Sequence, residues 1–221
     1  MNIRRALDYP YELSKTSFIL NDGVKMDWET GVDLSDRIPV LACGSNQSPV
    51  QLKRKFPTGC VPVMAGWLSD YDSVYSAHFT TYGSVAATYH YEVGLRTRQM
   101  VTWLDADQLD AMHNSEALGV NYEFVEFDGL DFQSDCDQVI TTAHSYQSLR
   151  GPLKLAGKPV GLSAIKAEGR SYQALWEEEL QNRLLDIFDY QAGLENFIQE
   201  TINDKEKRLS RTARLVALSS E

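Results

Sequence analysis

The chain has 221 residues, 43% of them hydrophobic and 24% charged, which is enough to bury the core of one domain with an appendage. Its formal net charge of −10 argues against a nucleic-acid partner, because phosphate binding needs a positive surface. No stretch approaches the roughly 18 consecutive apolar residues of a membrane span, and the basic N-terminus lacks the apolar core of a signal peptide, so a cytoplasmic protein without a membrane partner is expected.

Residues 17–28 read as two short strands around a turn at Asn21, Asp22 and Gly23, where glycine supplies the positive φ of a tight hairpin. Ile38–Ala42 is an apolar run suited to a buried strand, and the loop Cys43–Gln47 follows it. A short helix then starts, with Ser48 as N-cap, Pro49 at the first helical position and Gln51 completing a capping box. Lys53, Arg54 and Lys55 favour its C-terminal turn through the macrodipole, before Pro57 and Gly59 end it.

From Val61 to Phe127 the pattern is mainly extended, with separate strands expected near 61–64, Ser73–Phe79, Ala86–Tyr91, Gln99–Leu104 and Asn121–Phe127. One helix interrupts, capped by Asp105, with Gln108 three residues on and Leu109 and Met112 on its apolar face. Val139–Tyr146 and Pro159–Ile165 are weaker strand candidates. After Gly169, Leu180, Leu184, Ile187 and Phe188 recur at helical spacing, as do Leu194, Phe197, Ile198 and Ile202, so residues 171–218 predict two helices broken near Gly193. The expected fold class is α+β: a small mixed sheet or barrel with flanking helices and a helical C-terminal extension. The boundaries fall at 1–37 for an N-terminal extension with a hairpin, 38–168 for the main domain, and 169–221 for the helical extension.

Cys43, Cys60 and Cys136 form no C-x-x-C pair, and His78, His90, His113 and His144 are scattered, so reduced thiols, no metal and no cofactor are expected. The basic residues between Lys205 and Arg214 are best read as a solvated helix face.

Three places bear chemistry. The first is the loop: exposed N–H groups between a strand and a helix N-terminus suit a carboxylate or a developing oxyanion. Gly44 lets a ligand approach the backbone, and Ser45 and Asn46 add side-chain hydrogen bonds, although a plain turn uses the same residues. The second is Glu116, spaced i, i+3, i+7 with Leu109 and Met112 and so expected on one helix face, toward the core. Burial and a helix C-terminus both disfavour its ionised form, which is the setting of a base working near neutral pH; a solvated glutamate is the blander reading. The third is Cys43, a candidate nucleophile at a helix start that has no histidine tied to it in sequence. His113 and Glu116 offer a metal only two ligands. The tyrosines between Tyr71 and Tyr91 read as core and pocket lining.

The segment from Val40 to Pro49, containing Cys43, Gly44, Ser45 and Asn46, resembles the Tyr-Gly-Ser-Asn-Leu loop that opens γ-glutamylcyclotransferase-like domains. Two further likenesses follow in order: Tyr82 and Gly83 resemble the mid-domain glycine-containing strand, and the run from Val101 through Gln108 and Glu116 to Tyr122 resembles that family's strand, helix, glutamate and tyrosine. The likeness covers about residues 38–127, with Cys43 where the family has tyrosine and Gln47 where it has leucine. It implies cyclisation of a γ-glutamyl group of a small amine, amino-acid or peptide substrate to 5-oxoproline, without cofactor. It also implies Glu116 as acid/base and Cys43, Gly44, Ser45, Asn46, Tyr82, Gly83 and Tyr122 around the substrate. The alternative is a non-catalytic ligand-binding or regulatory module on the same fold, its C-terminal helices serving a partner or a homodimer. Whether Glu116 shares a cavity with Gly44–Asn46 discriminates the two.

Overall fold

The computed structural model describes residues 3–220; Met1 and Asn2 of the N-terminal stretch and Glu221 of the C-terminal extension lie outside them. Seven principal strands organise the molecule: β1 (Phe18–Asn21), β2 (Val24–Asp27), β3 (Ile38–Ala42), β4 (Cys60–Phe79), β5 (Val85–Leu104), β6 (Tyr122–Ser134) and β7 (Val139–Ser148). Six α-helices accompany them among the described residues: α1 (Arg4–Leu7), α2 (Pro49–Lys55), α3 (Ala106–Ser115), α4 (Glu177–Ile187), α5 (Leu194–Asn203) and α6 (Lys205–Ser220). The order β5-β3-β7-β6-β4, closed by the β4–β5 pairing, makes a five-stranded barrel in which only β3 and β7 run parallel. The fold is α+β, with the helices gathered mainly at the C-terminus. No helix among the described residues is long and apolar enough to cross a membrane.

The four strands expected between Val61 and Leu104 merge into two, each of 20 residues. Polar residues such as Asp72, Ser73, Arg96 and Arg98 interrupt the apolar alternation, but they are paired rather than exposed to a turn. Asp72, wholly buried, accepts from Arg170 Nε at 2.6 Å and Nη2 at 2.8 Å and from the Tyr172 hydroxyl at 2.9 Å. Buried Gln99 donates to Ser73 Oγ and Thr97 Oγ1, both at 2.9 Å. A register shift between Ser69 and Tyr71, with Asp70 at φ +62°, bends β4 where a straight reading would end it.

Alternate residues of the barrel strands point to opposite faces. Leu41, Met64, Val101, Phe132 and Ala143, one from each barrel strand, meet in one apolar cluster. On the other face Val40, Val63 and Met100 pack with Leu52 and Phe56 of the α2 segment and Met112 of α3. The outer half of the β4–β5 hairpin carries a third cluster: Tyr75, Phe79 and Val85 meet Leu180, Leu184, Phe188, Phe197 and Leu215 of the C-terminal helices. Each such fully buried side chain contributes about 1.5–3 kcal/mol of hydrophobic stabilisation.

Residues 171–218 differ from the expected helix pair in two ways. Ala174–Leu175 pairs in parallel with Gly161–Leu162, so the helical part begins at Glu177. Asp204, with φ −115° and ψ +106°, breaks the second helix into α5 and α6, and its side chain accepts from the Lys207 amide at 3.0 Å. An aspartate cap outweighs continuous periodicity there. At the other end, β1 pairs with β4, and α1 lays Ala6 against Ile198 and Ile202 of α5. One sheet and one apolar contact thus cross both boundaries drawn at 37 and 168.

Candidate functional site

β3 delivers the loop. Its last residues pair with β5 on one side and β7 on the other, and the chain then tightens into a 3₁₀ turn over Ser45–Gln47 before α2. Gln47 and Ser48 amides bond back to Gly44 and Ser45 carbonyls, while the Ser45 and Asn46 amides have no acceptor among the described residues. The capping box expected at α2 does not form: Ser48 Oγ is buried without a partner, and Gln51 Oε1 accepts from Arg54 instead. Ser48 does hold the N-cap position, with φ −88° and ψ +126° and its carbonyl accepting from the Leu52 amide at 3.0 Å, but its side chain caps no amide. Gly44 is required by contact, since a Cβ there would collide with the Tyr9 hydroxyl and come within 2.9 Å of Ala87 Cβ.

α3 delivers Glu116. Asp105 and Gln108 form a reciprocal capping box at its start, and Met112 is buried one turn before its end. Glu116 is the C-cap, and Ala117 at φ +51° turns the chain away. The expected apolar setting omits a cation. Lys55 Nζ, from the last residue of α2, contacts Glu116 Oε1 and also reaches Met112 Sδ at 3.2 Å. Asn46 Nδ2 donates to the same Oε1 at 2.9 Å. Glu116 Oε2 receives no donor among the described residues.

These elements enclose a cavity of about 400 Å³. Cys43, Gly44, Ser45, Asn46, Tyr82, Glu116 and Tyr122 all line it; Gly83 does not. Gly83 sits at φ +90° beneath α5, where a Cβ would meet Ile202 Cγ1 at 2.8 Å, so its requirement is conformational and steric. Tyr122 is nearly buried, its hydroxyl donating to the Ala87 carbonyl at 3.1 Å. Burial raises the Tyr9, Tyr82 and Tyr122 hydroxyls above the ordinary tyrosine range, so all three stay protonated donors.

Cys43 Sγ points toward the Tyr146 carbonyl at 4.0 Å. Burial, then the Glu116 carboxylate, pushes the thiol up to about 12. It is therefore a neutral thiol at physiological pH, unsuited to the nucleophilic role. All three cysteines are free. His113 Nδ1 pairs with the Tyr146 hydroxyl at 2.7 Å, and no group of three His, Cys, Asp or Glu residues among the described ones could hold a metal ion.

Several lining residues had no sequence signal. Lys55 reads as a helix-end charge until α3 is placed beside it. Arg5 and Tyr9 belong to the N-terminal segment, and His78 lies inside β4. Burial pushes His78 down to about 3, and its Nδ1 lies 2.9 Å from Ser76 Oγ, so it presents a neutral ring. The ensemble offers one carboxylate with a free oxygen, two unpartnered amides and several neutral hydroxyls, a set that can move a proton beside a developing oxyanion.

No protein family profile matches the sequence, and no curated protein matches it. Among solved structures, one described as a gamma-glutamyl cyclotransferase is 18% identical, with a TM-score of 0.42 over 50% of this chain and 66% of that one. An uncharacterized protein from Homo sapiens is 17% identical, with a TM-score of 0.44 over 51% and 67% of the two chains. A protein from Arabidopsis thaliana, known from a solution structure, is 13% identical, with a TM-score of 0.43 over 72% and 92%.

Proposed function

We propose that this protein is a metal-independent γ-glutamylcyclotransferase-like enzyme that releases an amine from a small γ-glutamyl compound as 5-oxoproline forms. The observation that carries the reading is the 2.9 Å hydrogen bond from Asn46 Nδ2 to Glu116 Oε1, which joins the loop and the carboxylate in one cavity. The sequence likeness of residues 38–127 to that family supports the same assignment.

The substrate carries its own nucleophile, so much of the rate comes from holding it folded. The α-nitrogen attacks the γ-carbonyl carbon; that C–N bond forms as the amide C–N bond breaks. The α-nitrogen sheds two of the three protons it held as an ammonium ion, and the departing nitrogen gains two. Glu116 Oε2 takes one proton from the attacking nitrogen and returns it to the leaving nitrogen, and the other exchanges with solvent. Lys55 and Asn46, both on Oε1, keep the carboxylate oriented and leave Oε2 for this exchange. The Ser45 and Asn46 amides face the negative charge that develops on the carbonyl oxygen.

The test is incubation with a panel of γ-glutamyl amino acids, amines and peptides, assayed for 5-oxoproline. Release from at least one, abolished by Glu116→Gln, is expected. Binding of panel members without any 5-oxoproline would instead establish the ligand-binding module.

A further inference from the structure

Cations at the cavity are divided unevenly between two tasks. Lys55 is committed to Glu116, but Arg5 and Arg54 have no carboxylate partner among the described residues, in a chain of net charge −10. Their acidic neighbours Asp8, Glu12 and Glu178 line the adjoining groove without pairing to either. Both guanidinium groups are nevertheless held in place. Arg5 lies 4.6 Å over the Tyr82 ring, and Arg54 lies 5.2 Å over the Tyr11 ring while donating to Gln51 Oε1 at 3.3 Å. A guanidinium resting on an aromatic face keeps its N–H fork open for a planar anion.

Their position is as informative as their lack of partners. Arg5, Tyr9 and Arg54 line both the inner cavity and the groove outside it, so the two arginines stand where one opens into the other. With the γ-carbonyl at Glu116 and the loop amides, a leaving group extended toward that opening would meet both guanidinium groups.

We infer that Arg5 and Arg54 form a leaving-group subsite that binds a carboxylate on the departing amine, selecting γ-glutamyl compounds whose amine component is itself anionic over those of neutral amines. This rests on the cyclotransferase reading. The N-terminal segment, outside the stretch that resembles the family, supplies half of the subsite. α1 is fixed for that purpose by Ala6, which packs on Ile198 and Ile202 of α5.

The experiment compares γ-glutamyl-alanine with γ-glutamyl-ethylamine, the same compound without the leaving-group carboxylate, by 5-oxoproline release from the full-length wild type, Arg5→Gln and Arg54→Gln. Wild type is expected to favour the alanine compound by about tenfold or more in kcat/KM, the usual scale for a charge-assisted contact. Each variant is expected to shrink that ratio at least severalfold, through the KM of the alanine compound. Absence of a wild-type preference would overturn the inference and leave the cyclotransferase reading standing. So would an equal loss on both substrates, which would place the arginines on the γ-glutamyl carboxylate. Should neither substrate, nor any longer γ-glutamyl peptide, yield 5-oxoproline, the parent reading falls and takes the subsite with it.

Discussion

The inner end of the cavity and its mouth are built on different principles. At the inner end a carboxylate, an ammonium and an amide come from two helix ends and one turn, all within the segment from Asn46 to Glu116; the ammonium and the amide converge on Glu116 Oε1, while Glu116 Oε2 and the buried Asn46 Oδ1 have no partner among the described residues. At the mouth, Arg5 and Tyr9 arrive from the N-terminal segment, which Ala6 anchors on α5 and Tyr9 joins to the cluster of Leu180 and Leu184. The first is a compact polar constellation with one free carboxylate oxygen, the atom that the proposed mechanism uses for proton transfer. The second is an open rim where Arg5 and Arg54, without carboxylate partners among the described residues, stand beside Asp8, Glu12 and Glu178. In the proposed mechanism, chemistry is thus held by short connections, and selectivity by long ones.

The largest expected effect lies at the inner end. Glu116→Gln keeps the shape and the Asn46 contact but cannot accept a proton, and should lower kcat by roughly 10²-fold or more with little change in KM. Steady-state 5-oxoproline kinetics check it, and full turnover by the variant would remove Glu116 from the mechanism. Next, Lys55→Met leaves Glu116 with the Asn46 amide alone. With side-chain exposures of 9% for Lys55 and 15% for Glu116, the cost should be about 2 kcal/mol in urea unfolding, below the ~3–5 kcal/mol of a fully buried pair.

Gly44→Ala tests where the two regions touch. Its methyl group must displace the Tyr9 hydroxyl, at a cost of about 1–3 kcal/mol, and Tyr9→Phe in the same chain should recover part of it. A Gly44→Ala melt indistinguishable from wild type would show that the wall yields freely.

A pH effect distinguishes the scaffold of the mouth. Glu177, buried at the start of α4, accepts from the Val85 amide and Gln181 Nε2, both at 2.7 Å, and burial pushes its carboxyl up to about 8 from an ordinary 4.5. Between those values the folded protein holds a proton that the unfolded chain has released. Its contribution to stability is therefore present at low pH and is lost as pH rises through that window. Each tenfold change in proton affinity is worth about 1.4 kcal/mol. Glu177→Gln should flatten the decline in unfolding free energy between pH 5 and pH 8, and an unchanged slope would refute the assignment. The smallest effect is expected from Cys43→Ser, less than about tenfold in kcat/KM, since no covalent step uses the thiol.

The contrast between the two regions also governed what could be read from the residues alone. The loop and Glu116 were legible because strand end, turn and capped helix are local patterns, and Asp105 with Gln108 fixed the frame of α3. Lys55 stands in the last turn of α2 as its sequence predicts, but its contact with Glu116 is not legible, for a physical reason: a cation in the last turn of a helix satisfies the macrodipole equally well whether or not a carboxylate waits nearby. Arg5 and Tyr9 left no local trace, because only tertiary packing brings α1 to the cavity. The barrel strands are legible only as fragments, since Asp72 and Arg98 look like breaks until their partners Arg170 and Asp135 are known. Asp204 is a helix stop that the apolar spacing on either side masks in the sequence.

The β4–β5 hairpin has a consequence for how the molecule comes apart. Each of its strands runs 20 residues, one half closing the barrel and the other carrying the C-terminal helices. Neither lobe owns its own backbone. Removing residues 169–221 would strip the cover from Tyr75, Phe79 and Val85 on strands the barrel cannot do without. Cooperativity is therefore built into the covalent path: the chain should melt in one transition, and limited proteolysis should yield no surviving barrel.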